Sequence, residues 1–400
     1  MDNRYVNRTN AGETNAGGAG GIRATGANGA TGVNLLSLRG HNAALVLDLL
    51  RGAGRAGVSR LELAERTGLT PQAVSKITAR LRLDGLVTEA GQQPSTGGKP
   101  RTVLRLVPEA GHAVGLHLER DEMRAVLVDL TGAVVGERQS ALDLGAGAET
   151  VMAMIAAEAE GVVETLLDGA LSDDARRSAP STVLGVGVAM PGPLDHTHGV
   201  LHRVTGFPEW DGFPLRDVLA RRLGVPVVLD KDTNAAALCL AVAGEVGAFA
   251  YLHLGTGLGA GLVLGGEVYR GARTEAGEFG HQVIQLDGPL CSCGNRGCIE
   301  ALCLAAVERG DVDEAARVLG AGAANLAVLL DVDLVLLGGR TVAAHPERFV
   351  RGVGAVLDEL AQREGAISPV PVRVASGGAR AVAEGAAQLL LAPLFGRAEG

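Results

Sequence analysis

Apolar positions along the chain change their period from one region to the next, and each change marks an element or a boundary. Up to about residue 34 no period exists. Gly, Ala, Asn and Thr dominate, a composition with too little apolar surface to offset chain entropy, so residues 1 to 36 are expected to form a disordered tail. A helical pattern begins at Leu35, and Leu45, Val46, Leu49 and Leu50 form a first apolar stripe. Ser59 reads as the N-cap of a second helix with Leu61, Leu63 and Ala64 inside and Gly68 at its end. Thr70-Pro71 supplies a cap and a proline at the first helical position for a third helix, in which Val74, Ile77 and Leu81 point inward. Leu86-Val87-Thr88 and Thr102 to Leu106 read as two strands around the Gly/Pro/basic tip GQQPSTGGKPR. Residues 37 to 108 are therefore expected to form a winged helix-turn-helix.

From about Gly111 strands alternate with helices, the mark of an α/β architecture. Strands are expected at Ala113 to Leu118, Ala125 to Asp129, Val183 to Ala189 and Leu334 to Leu337. Helices are expected at Val151 to Leu167, Pro214 to Leu223 and Ala235 to Ala243. Only 2% of the chain is aromatic while 47% is hydrophobic, so the cores must be aliphatic and close-packed. No apolar run reaches the length of a membrane span and no basic-apolar leader pattern opens the chain, which together imply a cytoplasmic protein with reduced thiols and no membrane partner.

Charge divides the chain as sharply as periodicity does. The net charge is −9, yet residues 37 to 106 hold eleven Lys and Arg against five acids. A basic module joined to an acidic remainder implies a polyanion partner at one end and another task at the other. The outer face of the third helix carries Gln72, Ser75, Lys76 and Arg80, with Thr70 and Ala73 in its first turn, and the wing carries Lys99 and Arg101. Gln72, Ser75 and Lys76 are the candidate base readers of double-stranded DNA, and Arg80, Lys99 and Arg101 the candidate phosphate contacts. A helical oligomerisation module with a basic solvated face would share the composition. The cap, turn, stripe and basic wing together favour DNA.

GHQVIQLDGPLCSCGNRGCIE, ending at Glu300, places His281, Cys291, Cys293 and Cys298 at a spacing of H-x9-C-x-C-x4-C. Four soft or borderline donors of this kind close a tetrahedral zinc shell, and a closed shell has no position for a catalytic water, so the expected Zn2+ is structural. The alternative is three reduced cysteines in a loop.

Five segments in order, VGVAMPGPLD ending at Asp195, KDTNAAA at 231 to 237, LGTGLGAGLVLGGEVYRGARTEAGEFGH at 254 to 281, the cysteine run, and LVLLGG at 334 to 339, resemble the ROK family of repressors and sugar kinases. The resemblance implies an actin-like, hexokinase-type fold of two lobes, 109 to 236 and 237 to 400, the C-terminal helix being a candidate to return to the first. With the winged module in front, the chain is most similar to that family's sugar-responsive repressors. The same resemblance makes Asp232 a sugar ligand, and a catalytic base only in a kinase. Glu278, His281 and Glu300 become further effector contacts. Lys231 stands where the kinases have Asn, so it either pairs with Asp232 or reaches an anionic group, which favours a sugar phosphate, a sugar acid or a different sugar over an unmodified glucose-like effector.

Phosphoryl transfer would need Gly-rich turns at both phosphate loops. Gly255 to Gly259 supplies one, but His117-Leu118-Glu119-Arg120-Asp121 stands where the family's kinases have Asp-x-Gly-Gly-Thr. The expectation is a regulator without kinase activity, a homodimer or homotetramer on a DNA operator. An ATP-dependent sugar kinase is the alternative.

Overall fold

The computed structural model describes residues 40–93, 101–165, 182–202, 204, 208–365 and 368–397. The expected tail and Lys99 lie outside these residues. The described chain opens with helix α1 (His41–Ala53), followed by strand β1 (Val58–Ser59), α2 (Arg60–Thr67), α3 (Pro71–Leu83) and the wing strands β2 (Val87–Gln93) and β3 (Arg101–Leu106). Local sequence dictates both helix starts. Ser59 and Glu62 form a reciprocal capping box, and the Thr70 hydroxyl accepts from the Ala73 amide at 3.2 Å with Pro71 next to it. Gly68 ends α2 in the left-handed region. The wing is a three-stranded sheet in the order β1-β3-β2, one strand more than the sequence implied.

Two expected faces need correction. Leu45 and Leu49 are only half-buried, and α1 instead buries Ala44, Val46, Leu47 and Leu50. Leu61 is exposed, while Leu63 and Ala64 are buried. The shift in α1 follows from what it meets: its inner face packs on Phe395 and Leu391 at the far end of the chain as well as on α2 and α3.

The first large sheet runs β10-β7-β4-β5-β6. β4 (His112–Leu118), β5 (Glu122–Asp129) and β6 (Val134–Ala141) form an antiparallel meander, to which β7 (Val183–Met190) and β10 (Val227–Lys231) add in parallel. Helices α4 (Ala148–Glu164) and α5 (Leu215–Leu223) cover one face through Val151, Ile155, Leu215 and Leu219. The second sheet, β13-β12-β11-β14-β15, comprises β11 (Phe249–Leu254), β12 (Leu258–Leu264), β13 (Glu267–Val268), β14 (Leu334–Gly338) and β15 (Val372–Val374). Its outer helices include α7 (Ile299–Glu308), α8 (Val312–Leu330) and α10 (Pro346–Glu364), with the short α9 (Arg340–Ala344) after β14.

Between the sheets lie α6 (Asp232–Val242) and the C-terminal α11 (Ala381–Leu391). The expected boundary at 236/237 falls inside α6, whose alanines pack with Phe249 and Leu336 of the second sheet and with Val382 and Ala386 of α11. The other side of α11 covers β4 and β5 through Ala383 and Ala387 and continues into the winged module's core through Leu391. Arg51 of α1 ties that junction. Its Nε donates to the Thr131 carbonyl at 3.0 Å, one Nη donates to Gln388 Oε1 of α11 at 3.1 Å, and the guanidinium lies 4.6 Å from the Phe395 ring centre. Burial, then repulsion from Arg397, pushes the Arg51 pKa down to about 10. No helix among the described residues is long and apolar enough to cross a membrane.

Candidate functional site

The carboxyl end of β10 and the first turn of α6 bring Lys231 and Asp232 to the edge of a cleft between the sheets. Behind them Asp230, fully buried, accepts from Arg270 Nε at 2.7 Å, Asn234 Nδ2 at 2.8 Å and the Lys231 amide at 2.8 Å, which fixes where α6 starts. Asp232 Oδ1 accepts the Thr233 amide at 2.7 Å. Desolvation nonetheless raises the Asp232 pKa, with His253 beside it as the strongest opposing influence, and the His253 pKa is itself lowered by burial.

Lys231 pairs with neither Asp232 nor open space. Its side chain is buried; Nζ donates to Glu278 Oε1 at 3.1 Å and to the Ala276 carbonyl, both in the turn before His281. The expected pairing of Lys231 with Asp232 is therefore corrected. Its charge is matched by Glu278, and the cleft lining also holds the carboxyl groups of Asp232, Glu300 and Glu119 and the guanidinium of Arg120.

Glu300, in the first turn of α7, accepts the Leu258 amide at 2.9 Å through Oε2 and lies 3.5 Å from Ser292 Oγ through Oε1. One carboxylate thus joins the Gly-rich turn between β11 and β12 to the cysteine loop. His281 lines the cleft and also belongs to the cluster His281, Cys291, Cys293 and Cys298, whose ligand atoms all lie within 4.8 Å of one another. Its Nδ1 is 3.7 Å from Cys291 Sγ, and Cys293 Sγ is 3.7 Å from Cys298 Sγ. A tetrahedron built on metal–sulfur bonds of about 2.3 Å has edges of about 3.8 Å. The donor set fits a four-coordinate thiophilic metal.

The turn joining β4 and β5 holds charged side chains and no glycine. Glu119 is buried, and Arg340, which follows Gly338 and Gly339 after β14, reaches across with Nη1 3.7 Å from Glu119 Oε2 and 3.1 Å from Asp121 Oδ2. Gly339 has φ of 90°, and a side chain there would overlap the Leu254 carbonyl, so this turn requires glycine. His253, Glu119 and Arg340 had no place in the expected site. His253 was detectable in principle as a polar residue inside the buried strand FAYLHL.

His117, at the end of β4, is neutral. Burial, then the neighbouring His253 and Arg124, pushes its pKa down to about 3. An unfolded histidine titrates near 6.5, so the unfolded chain binds the extra proton first, and His117's contribution to stability is complete above that value and falls as the pH drops from about 6.5 toward 3. His117→Leu is expected to reduce the acid slope of stability by about 1.4 kcal/mol per pH unit in that window. Urea denaturation between pH 7 and 5 measures it, and unchanged slopes would assign the loss to other groups.

In the winged module Gln72, Ser75, Lys76 and Arg80 are exposed along one face of α3, Ala73 is half-buried, and the exposed Thr70 is committed to its cap. Arg80 Nε lies 3.8 Å from Asp84, and Arg101 is exposed at the base of the wing.

Family models match residues 155–308 as ROK family and residues 46–88 as winged helix-turn-helix DNA-binding. A xylose repressor from Caldicellulosiruptor bescii is 30% identical over 61% of this chain, and the chain spans 59% of that relative's length. A ROK hexokinase from Thermus thermophilus is 32% identical, with a TM-score of 0.56 over 71% of this chain and 98% of that one. A ROK family transcriptional regulator described as a homologue of the E. coli MLC protein shares the fold at 22% identity, with a TM-score of 0.69 over 91% of this chain and 98% of that one.

Proposed function

Since the chain belongs to the ROK family, we propose that it is a sugar-responsive DNA-binding transcriptional regulator, a repressor whose operator affinity an effector changes. The observation that carries this reading is the continuity of packing from cleft to DNA module. Asp232 begins α6, α6 packs on α11, and α11 shares a core with α1, the helix that supports α2 and α3. A change of closure at the cleft therefore has a packed path to the DNA-reading helix.

Two α3 helices, presented by a homodimer or a dimer of dimers, would enter successive major grooves of a near-palindromic operator. Gln72, Ser75 and Lys76 would read base edges, and Arg80, Arg101 and the wing's Lys99 would hold phosphates. The effector is an uncharged sugar held by Asp232, Glu278, His281 and Glu300, with Lys231 orienting Glu278. The acidic lining and the relative's name, xylose repressor, support that class. His281, Cys291, Cys293 and Cys298 would hold zinc, which when bound fixes the loop that carries His281 into the cleft.

Phosphoryl transfer is disfavoured by the same geometry. Glu119, Asp121 and Arg340 fill with ion pairs the place where phosphates would meet backbone N–H groups, and His117 is a neutral imidazole where a carboxylate would orient a metal.

The test is a titration of DNA from the gene's own upstream region at fixed salt, with and without a sugar panel. A specific complex that one sugar weakens or strengthens is expected. Lys76→Ala should weaken binding to all sequences and flatten the salt dependence, whereas Gln72→Ala should cost about 1–3 kcal/mol on the cognate site alone. Phosphorylation of a sugar from ATP at enzymatic rates would overturn the reading.

A further inference from the structure

A second cavity adjoins the cleft. Glu119 and His253 line both, so they form the partition between the two spaces. The rest of the second lining combines the Tyr251 ring with small apolar groups such as Val342 and Val382.

Two polar atoms in this wall make no hydrogen bond: His117 Nε2 and Glu119 Oε2, on residues 5% and 8% exposed. His117 Nε2 stands 3.8 Å from Glu119 Oε1, and Glu119 Oε2 stands 3.7 Å from Arg340 Nη1, both beyond hydrogen-bond length. A buried polar atom without a hydrogen bond is costly even where, as at Glu119 Oε2, a longer ion pair to Arg340 partly offsets it, so these two atoms ask for a ligand that supplies hydrogen bonds.

The chemistry of the wall says which ligand. A neutral imidazole donates or accepts according to its tautomer, a carboxylate accepts, and the Arg340 guanidinium donates. A hydroxyl answers all three. A phosphate or carboxylate does not, because it would face Glu119 and Glu122. Apolar CH groups of a sugar ring also suit Tyr251 and the valines.

We propose that the second cavity is a subsite for a second sugar unit, so that the effector is a disaccharide. Its inner ring lies beside Asp232 and Glu278 and its outer ring bonds His117 and Glu119. The inference rests on the sugar-cleft reading and specifies its ligand by length. Glu119, reachable from both sides, contacts the glycosidic region.

Calorimetric titration of the zinc-loaded full chain with xylose and xylobiose, glucose and cellobiose, and N-acetylglucosamine and chitobiose tests it. One disaccharide is expected to bind at least about tenfold more tightly than its monosaccharide. His117→Leu, and independently Ala379→Trp at the exposed cavity rim, should remove that advantage while leaving monosaccharide affinity within about twofold. Monosaccharides binding with no gain from the second ring, or a gain that survives both variants, overturns this inference alone. Binding of neither length overturns the sugar-cleft reading and the inference with it.

Discussion

Gly115→Ala, the addition of one methyl group, is expected to cost about 3 kcal/mol or more and so to lower the melting temperature of the protein by about 4 °C or more. Gly115 lies in the middle of β4 on the face that α11 covers, and a Cβ there would overlap the carbonyl oxygen of Ala383 and crowd the Ala387 amide. The obstacle is backbone, so no rotamer change relieves it. Gly187 on β7 stands against the Ala386 carbonyl in the same way, and Gly385 of α11 against Ala235 of α6. Three glycines thus let one helix lie directly on two strands and a second helix. Lifting α11 also strains the core that it shares with α1, so operator binding should suffer along with stability. Gly354→Ala in α10, where nothing lies near the added methyl, is the control and should be neutral or stabilising by up to about 1 kcal/mol. Equal melting temperatures for the two variants would show that α11 is seated less tightly than its contacts imply.

What the sequence disclosed was what is local in it. Thr70-Pro71, the Ser59 cap with Gly68 after α2, and the spacing of His281 with three cysteines each act within a few residues or one loop, and the structure places them accordingly. Contacts across long separations were illegible. Lys231 read as a neighbour of Asp232 because the two are adjacent in the chain, but the turn from β10 into α6 sends the ammonium to Glu278, 47 residues away. The buried face of α1 is set by Phe395 and Leu391, which no periodicity near residue 45 could announce. His253 was hidden because β11 is buried on both faces and so reads as an apolar run without alternation. That the turn at 117 to 121 lacks glycine was legible in the sequence. Its ion-pair partner Arg340, 219 residues on from Asp121, was not.

Those long-range contacts assign the cleft's residues different duties. Glu278 and Glu300 are each tied to protein partners as well as facing the cavity, so ligand hydroxyls would compete with or extend existing hydrogen bonds. Asp232 keeps one carboxylate oxygen uncommitted, and its raised pKa reflects burial rather than a lost partner. A ligand that donates to this oxygen supplies stabilisation that the protein alone lacks. In the proposed complex Asp232 would therefore be the strongest anchor of the inner ring.

Cys293→Ser is expected to abolish both stoichiometric zinc and the sugar response of DNA binding. Cys293 is exposed and in no core cluster, so its thiol can be replaced without creating a cavity. Removing a residue that only supports a ligand already costs about 10–100-fold in metal affinity, and removing one of four ligands should cost more. Without metal, four donor atoms packed within 4.8 Å have little to hold them together, since the loop's own bonds are a few turns such as Cys291 N to Asn295 O at 2.7 Å. The loop would loosen, and with it His281 at the cleft and Ser292 beside Glu300. Atomic absorption on purified protein should give about one zinc per chain for the wild type and less than about one tenth for the variant. Cys239→Ala, at a thiol outside the cluster, should leave the ratio unchanged. Operator binding without sugar should survive in Cys293→Ser, because α1, α2 and α3 rest on α11 and not on the loop. Full zinc in the variant would remove Cys293 from the metal site. Zinc loss with an intact sugar response would separate the metal from the signal and confine it to holding the loop.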